Sequence, residues 1–234
     1  MVVHTVFDLL AWSLAAVLGS WIGRKRWLAA SPKRTPFTEP YYFIALGLGA
    51  ILGAVLFGSA NLQFAGIFAL GHSIAGALFG GIVSVEVYKW VNHLRGTTGL
   101  AFVAPLAAGI AIGRIGCFLA GLPDYTYGTP TTLPWGVDFG DGIARHPVQL
   151  YESAAMLAFL VLYLRGLAHR SAFVMCDGFY VFVLWYGVQR FAWEFLKPYP
   201  ALVGPFNLFH ILCAAMIAYA LVMIGRNREF RQTV

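Results

Sequence analysis

Arg190 and Glu194 stand four residues apart in the apolar stretch Phe173–Leu196, a spacing that puts both side chains on one helix face. An arginine held in position by a carboxylate suits a phosphate, because its fork meets phosphate oxygens two at a time. The same pair also reads as structural neutralisation of two charges in apolar surroundings. A second arginine, Arg114, lies in Gly113-Arg114-Ile115-Gly116, near the end of the apolar run Leu100–Leu119. A permanent charge at membrane depth is costly and is by default a functional indication. Gly113 and Gly116 leave room beside it for another backbone or a ligand headgroup. Arg114 has a competing reading too: snorkelling to headgroup phosphates, or pairing with a carboxylate such as Glu152. Two arginines against one or two carboxylates leave spare positive charge, for which an anionic phospholipid head is the natural ligand.

His72 precedes Ser73 and a helical stretch with Gly76, Gly80 and Gly81. Imidazole titrates near neutral pH, so one reading is a general base; the other is a neutral histidine satisfied by a hydroxyl. The glycines read as close helix packing. Arg145-His146-Pro147 leads into Gln149, Tyr151 and Glu152, which fall in the first turns of another apolar segment. His146 either joins this group or caps the helix that Pro147 would open. Cys117, Cys176 and Cys213 have no metal-ligand spacing and read as small apolar residues. Asp124, Asp138 and Asp141 lack the spacing of a calcium loop, so no metal is expected.

These residues need a frame. The chain of 234 residues is 59% hydrophobic and 11% charged, against about 25% charged in a soluble domain. It reads as an all-α integral membrane protein, one polytopic domain over residues 1–234 with an external loop at 121–146. Spans are expected at Val6–Ile22, Tyr41–Ser59, Ser73–Trp90, Leu100–Leu119, Pro147–Leu164, Phe173–Leu196 and Phe206–Gly225. Leu62–Gly71 is too short to cross and reads as an interfacial or re-entrant approach to the third span. The first span ends in Arg24-Lys25-Arg26 and reads as retained, not as a cleaved signal. Gly121–Arg145 is rich in Gly, Pro and Thr and reads as an irregular lid or substrate-entry arm.

Orientation follows from where the net charge of +6 falls. Arg24, Lys25, Arg26, Lys33, Arg34, Lys89, Arg95, Arg165, Arg170, Arg226, Arg228 and Arg231 all lie at or beyond the ends of odd-numbered spans, twelve of sixteen basic residues. The positive-inside rule then predicts seven transmembrane helices with the N-terminus outside and the C-terminus cytoplasmic. On that topology Arg114, Arg190, Glu194, His72, His146, Gln149, Tyr151 and Glu152 converge just inside the outer leaflet, and such clusters mark sites. Membrane lipids are the expected surroundings, and no nucleic-acid partner is expected.

Gly113-Arg114-Ile115-Gly116, then Arg145-His146-Pro147-Val148-Gln149-Leu150-Tyr151-Glu152, then Arg190-Phe191-Ala192-Trp193-Glu194-Phe195, resemble in kind and order the signatures of the bacterial prolipoprotein diacylglyceryl transferases. The resemblance implies a multi-pass enzyme of the bacterial cytoplasmic (inner) membrane. Such an enzyme moves a diacylglyceryl group from phosphatidylglycerol to the lipobox cysteine of a prolipoprotein, releases glycerol phosphate and uses no cofactor. It implies that Arg114 contacts the donor phosphate with Gly113, Gly116, His146, Gln149, Tyr151 and Glu152 around the substrate. Arg190, Glu194 and His72 would then carry the chemistry. Cys117 stands where the family usually has asparagine, Ala120-Gly121-Leu122 replaces Asn-Gly-Glu, Gly53-Ala54-Val55-Leu56 replaces Gly-Arg-Ile-Gly, and Ser73 replaces a glycine. Two alternatives accompany the reading: a paralogue with the same donor and another acceptor, and a non-catalytic phospholipid-binding membrane protein.

Overall fold

The computed structural model describes the backbone of residues 2–25, 39–94 and 96–232, and side chains within 5–25, 39–94 and 96–227. Of the basic residues behind the predicted orientation, Arg26, Lys33, Arg34 and Arg95 lie outside the described residues, as do the side chains of Arg228 and Arg231. Among the described residues seven helices are long and apolar enough to cross a membrane: α1 (Val2–Arg24), α2 (Pro40–Phe64), α3 (Ile74–Val91), α4 (Val103–Ala120), α5 (Val148–Ala168), α6 (Ala172–Glu194) and α7 (Leu208–Gln232). Helices are the form in which a lipid-embedded backbone satisfies its own polar groups.

Local chemistry sets the helix ends. Pro40 opens α2 at a position where its missing N–H is no loss. Ser73 caps α3, its hydroxyl accepting from Gly76 N at 3.1 Å. Gly121 ends α4 at φ +70°, a conformation that favours glycine. Asn207 caps α7, its Oδ1 accepting from Phe209 N at 3.0 Å and His210 N at 3.1 Å. Pro147 lies just before α5 rather than as its first helical residue, and no side chain caps that helix. His146 is therefore not its cap.

Packing is tightest where side chains are small. Val103, Ala104, Ala107, Ala108 and Ala111 of α4 are buried against α5 and α6, whose Met156, Phe159, Tyr180, Phe182 and Tyr186 form the core with Cys213 and Met216 of α7. Helix α1 lies on α4, with Phe7 filling the place that a Cβ on Gly116 would take, 2.6 Å away. The α2–α3 hairpin is held by interlocked glycines: Gly49 and Gly53 face Gly76 and Gly80 backbone to backbone. Gly53→Val should lower the melting temperature in detergent, with a cost of about 1–3 kcal/mol. Gly47→Ala, where a Cβ meets nothing within 4 Å, should leave it unchanged or slightly raised.

The segment between α2 and α3 is partly helical, since α2 runs on to Phe64. Residues 65–73 then turn back beside α2. Gly71 N donates to Ser59 Oγ at 3.1 Å and Ser73 N to Ala54 O at 3.1 Å. Ala54 lies about 15 Å along the helix from Phe64, at 1.5 Å per residue. The chain therefore re-enters before α3 begins.

Candidate functional site

The site is assembled at the face holding the C-terminal ends of α4 and α6 and the N-terminal ends of α5 and α7. Glu152, on the second turn of α5, is its centre and is 1% exposed. Its Oε2 lies 2.5 Å from Arg114 Nε on α4. Its Oε1 pairs with Arg190 Nη1 on α6 and with Lys197 Nζ just beyond α6, the latter at 2.9 Å. Arg190 reaches Glu194 Oε2 at 2.9 Å through Nη2, and its guanidinium lies over the Phe209 ring. Glu194 Oε1 accepts from Asn207 Nδ2 at 3.2 Å, tying the start of α7 to the cluster. All five charged groups are nearly inaccessible, so each carboxylate offsets burial costs of several kcal/mol per ion.

The pairings proposed from sequence for Arg190–Glu194 and Arg114–Glu152 are both present. The charge count differs from the sequence expectation. Arg114 and Arg190 balance Glu152 and Glu194, and the surplus cation is Lys197. In sequence Lys197 is an ordinary basic residue just past the end of the span Phe173–Leu196. The available signal was its place seven residues after Arg190, on the face that Arg190 and Glu194 share. Asn207 was missed too. It reads as one of many polar residues near a span end until its amide is seen on Glu194.

Arg114 uses Nε for Glu152, and among the described residues no protein group bonds its two terminal nitrogens. Among the described residues, two buried polar groups on the neighbouring helices have no hydrogen-bond partner: both amide atoms of Gln149, wholly buried one turn before Glu152, and the hydroxyl of Tyr186. Tyr186 is close enough to sense both arginines. A Cβ on Gly113 would meet nothing within 4 Å, so α4 is open beside Arg114, whereas Gly116 is occupied by helix packing. His146 and Tyr151 meet edge to face at 6.3 Å, and the Tyr151 hydroxyl accepts from Trp135 Nε1 at 2.8 Å. His72 sits apart. It is exposed on the re-entrant segment, and no hydrogen bond or ion pair joins it to the cluster among the described residues.

The loop over this face is more ordered than its composition suggests. Strand β1 (Val137–Asp138) pairs antiparallel with β2 (Ala144–Arg145), and the Asp138 carboxylate accepts from the N–H groups of Gly140, Asp141 and Gly142. Arg145 grips Asp141 with two bonds of 2.7 Å. Thr129 N donates to Leu196 O at 2.7 Å, which pins the loop beside Lys197. The Arg145 guanidinium holds the exposed Asp141 carboxyl below its usual value of 3.8. A depressed carboxyl contributes stability above its unfolded value and loses it as pH falls through the folded one. Arg145→Ala should therefore speed limited proteolysis of residues 138–145 at neutral pH, whereas the wild-type hairpin should loosen only below about pH 4.

On the opposite half, an apolar cavity of about 280 Å³ lies between the α2–α3 hairpin and α4, α6 and α7, lined by Tyr42, Ile82, Leu106, Ile110, Phe179 and Tyr219 among others. Ile110 is one helical turn before Arg114, so cavity and cluster share α4.

Seven membrane-length helices with a charged cluster buried among four of them define an integral, multi-pass membrane protein with an ionic site at one face. Comparison then supplies the family: the family model for prolipoprotein diacylglyceryl transferase matches residues 7–226, and the chain belongs to that family. It is 34% identical over 200 residues to the phosphatidylglycerol–prolipoprotein diacylglyceryl transferase of Geobacter sulfurreducens, covering 78% of this chain and 74% of that protein. The protein of the same description from Nitratidesulfovibrio vulgaris strain DP4 is 32% identical, with 88% and 82% covered. That of Aromatoleum aromaticum is 29% identical, with 97% and 98% covered. No solved structure matches.

Proposed function

We propose that this chain transfers a diacylglyceryl group from phosphatidylglycerol to the lipobox cysteine thiol of a prolipoprotein, in the bacterial cytoplasmic membrane. The observation that carries the reading is Arg114: a buried guanidinium paired with Glu152 through Nε, with terminal nitrogens that no described residue hydrogen-bonds and that suit a phosphate. The family and its named relatives support the same donor and acceptor. In this reading the N-terminus is outside and the C-terminus cytoplasmic, so the cluster faces the leaflet from which the acceptor approaches.

The donor phosphate lies on Arg114, within reach of the Gln149 amide and the Tyr186 hydroxyl, with Tyr151 and His146 at the rim. One acyl chain runs past Ile110 into the apolar cavity. In the reaction the acceptor sulfur forms a bond to the terminal glyceryl carbon as that carbon's bond to the phosphate oxygen breaks. The electron pair leaves on glycerol phosphate, and the thiol proton passes to a base. Charge grows on the departing phosphate, where Arg190, fixed between Glu152 and Glu194, stabilises it. His72, exposed on the re-entrant segment, is the candidate base for that proton.

Purified protein given labelled phosphatidylglycerol and a lipobox peptide should release glycerol phosphate and yield the thioether-modified peptide. Absence of both products from folded protein would defeat the reading. Release without peptide modification would point to a different acceptor.

A further inference from the structure

Two arginines and two carboxylates cancel, so what the cluster offers an anion depends on its fifth member. Lys197 has a side chain with no exposure and a Nζ 2.9 Å from Glu152 Oε1, the oxygen that also meets Arg190. The Tyr199 ring is 6.0 Å from it, and its neighbour Leu196 carries the external loop through Thr129. With Lys197 protonated, Glu152 is shared among three cations and the cluster carries one net positive charge. With Lys197 neutral, it carries none. We propose that Lys197 is a positioning residue whose protonation sets the surplus charge of the cluster and thereby gates binding of the anionic phosphodiester donor.

This inference rests on the donor reading above and adds the group that regulates it. Burial, followed by the repulsion of Arg190, brings the Lys197 ammonium down to about 8, with Glu152 opposing. The charge is therefore lost in a range where a phosphodiester keeps its own. The titratable or charged groups that face Lys197 are Arg114 from α4, Glu152 from α5, Arg190 and Glu194 from α6, Cys213 from α7, and Tyr199. Burial holds Tyr199 well above its usual value, which takes it out of the window.

The test is the affinity of the purified protein for phosphatidylglycerol in neutral-lipid nanodiscs between pH 7 and 9.5, for wild type, Lys197→Arg and Lys197→Met. Donor binding is the readout because the acceptor thiol, which titrates in the same range, plays no part in it. Wild type should weaken about tenfold across the window, the change that matches a Lys197 pKa about one unit higher in the complex. K197R should bind tightly and without pH dependence, and K197M weakly and without pH dependence. A flat wild-type profile, a transition that persists in K197R, or K197M binding as wild type does at pH 7 would each overturn the proposal. If K197M does not fold, wild type against K197R still decides it. Glycerol phosphate release at pH 7 is measured in parallel. Turnover with pH-independent binding sinks the Lys197 inference alone, and pH-dependent binding without turnover sinks the transferase reading alone.

Discussion

Glu152→Gln should give the largest combined loss of stability and activity of any single substitution in the protein. It keeps the side-chain volume but leaves Arg114, Arg190 and Lys197 facing one remaining carboxylate, Glu194, which among the described residues forms an ion pair with Arg190 and with neither of the other two cations. Removing one partner of a buried ion pair costs about 3–5 kcal/mol, since the partner's charge stays buried and uncompensated. The expected result is a clear drop in thermal stability in detergent and at least a hundredfold loss of glycerol phosphate release. The double variant Glu152→Gln, Arg114→Gln separates the two effects. It restores the balance of charge, so stability should recover substantially, while activity should stay lost with the Arg114 fork. Recovery of activity with stability would show that Arg114 does not bind the donor.

The second large effect is expected at Arg190. Arg190→Ala should lower kcat by about 10²–10³, the cost of removing one well-placed group that stabilises developing charge. Arg190→Lys should not rescue it, because one ammonium cannot span Glu152 and Glu194 as the guanidinium fork does. Arg114→Ala should instead act mainly on KM for phosphatidylglycerol, since its free fork is assigned to the ground-state phosphate. A kcat effect at Arg114 and a KM effect at Arg190 would exchange the two roles. Both variants should be compared at matched folded fraction, because each also leaves a buried carboxylate short of a partner.

Much of this site was legible before any tertiary structure. Arg190 and Glu194 announce their pairing through a helical spacing, and Arg114 announces itself by its cost among apolar neighbours. Glu152 is a candidate partner for Arg114, and both fall at the same depth once the spans are assigned. Lys197 was not legible as a site residue. At the end of a span a lysine is ordinarily solvated, whereas here Lys197 is buried on Glu152 beside Tyr199 and the loop pinned at Leu196. His72 shows the reverse. Its position near a span end suggests convergence, yet the re-entrant segment leaves it exposed, with no bond to the cluster among the described residues.

What the sequence by itself determined is the part governed by local composition and period: seven apolar helices, their approximate limits, and the helix faces that carry charge. Those follow because burying an unpaired backbone or a charge in hydrocarbon is costly wherever the chain goes. Only the tertiary structure decided which charges share Glu152, that the loop over the site is a pinned hairpin, and that the surplus charge resides on a lysine rather than an arginine. These depend on contacts between residues far apart in sequence. The interaction of two buried charges falls off over a few ångströms, and that separation is set by how the helices pack.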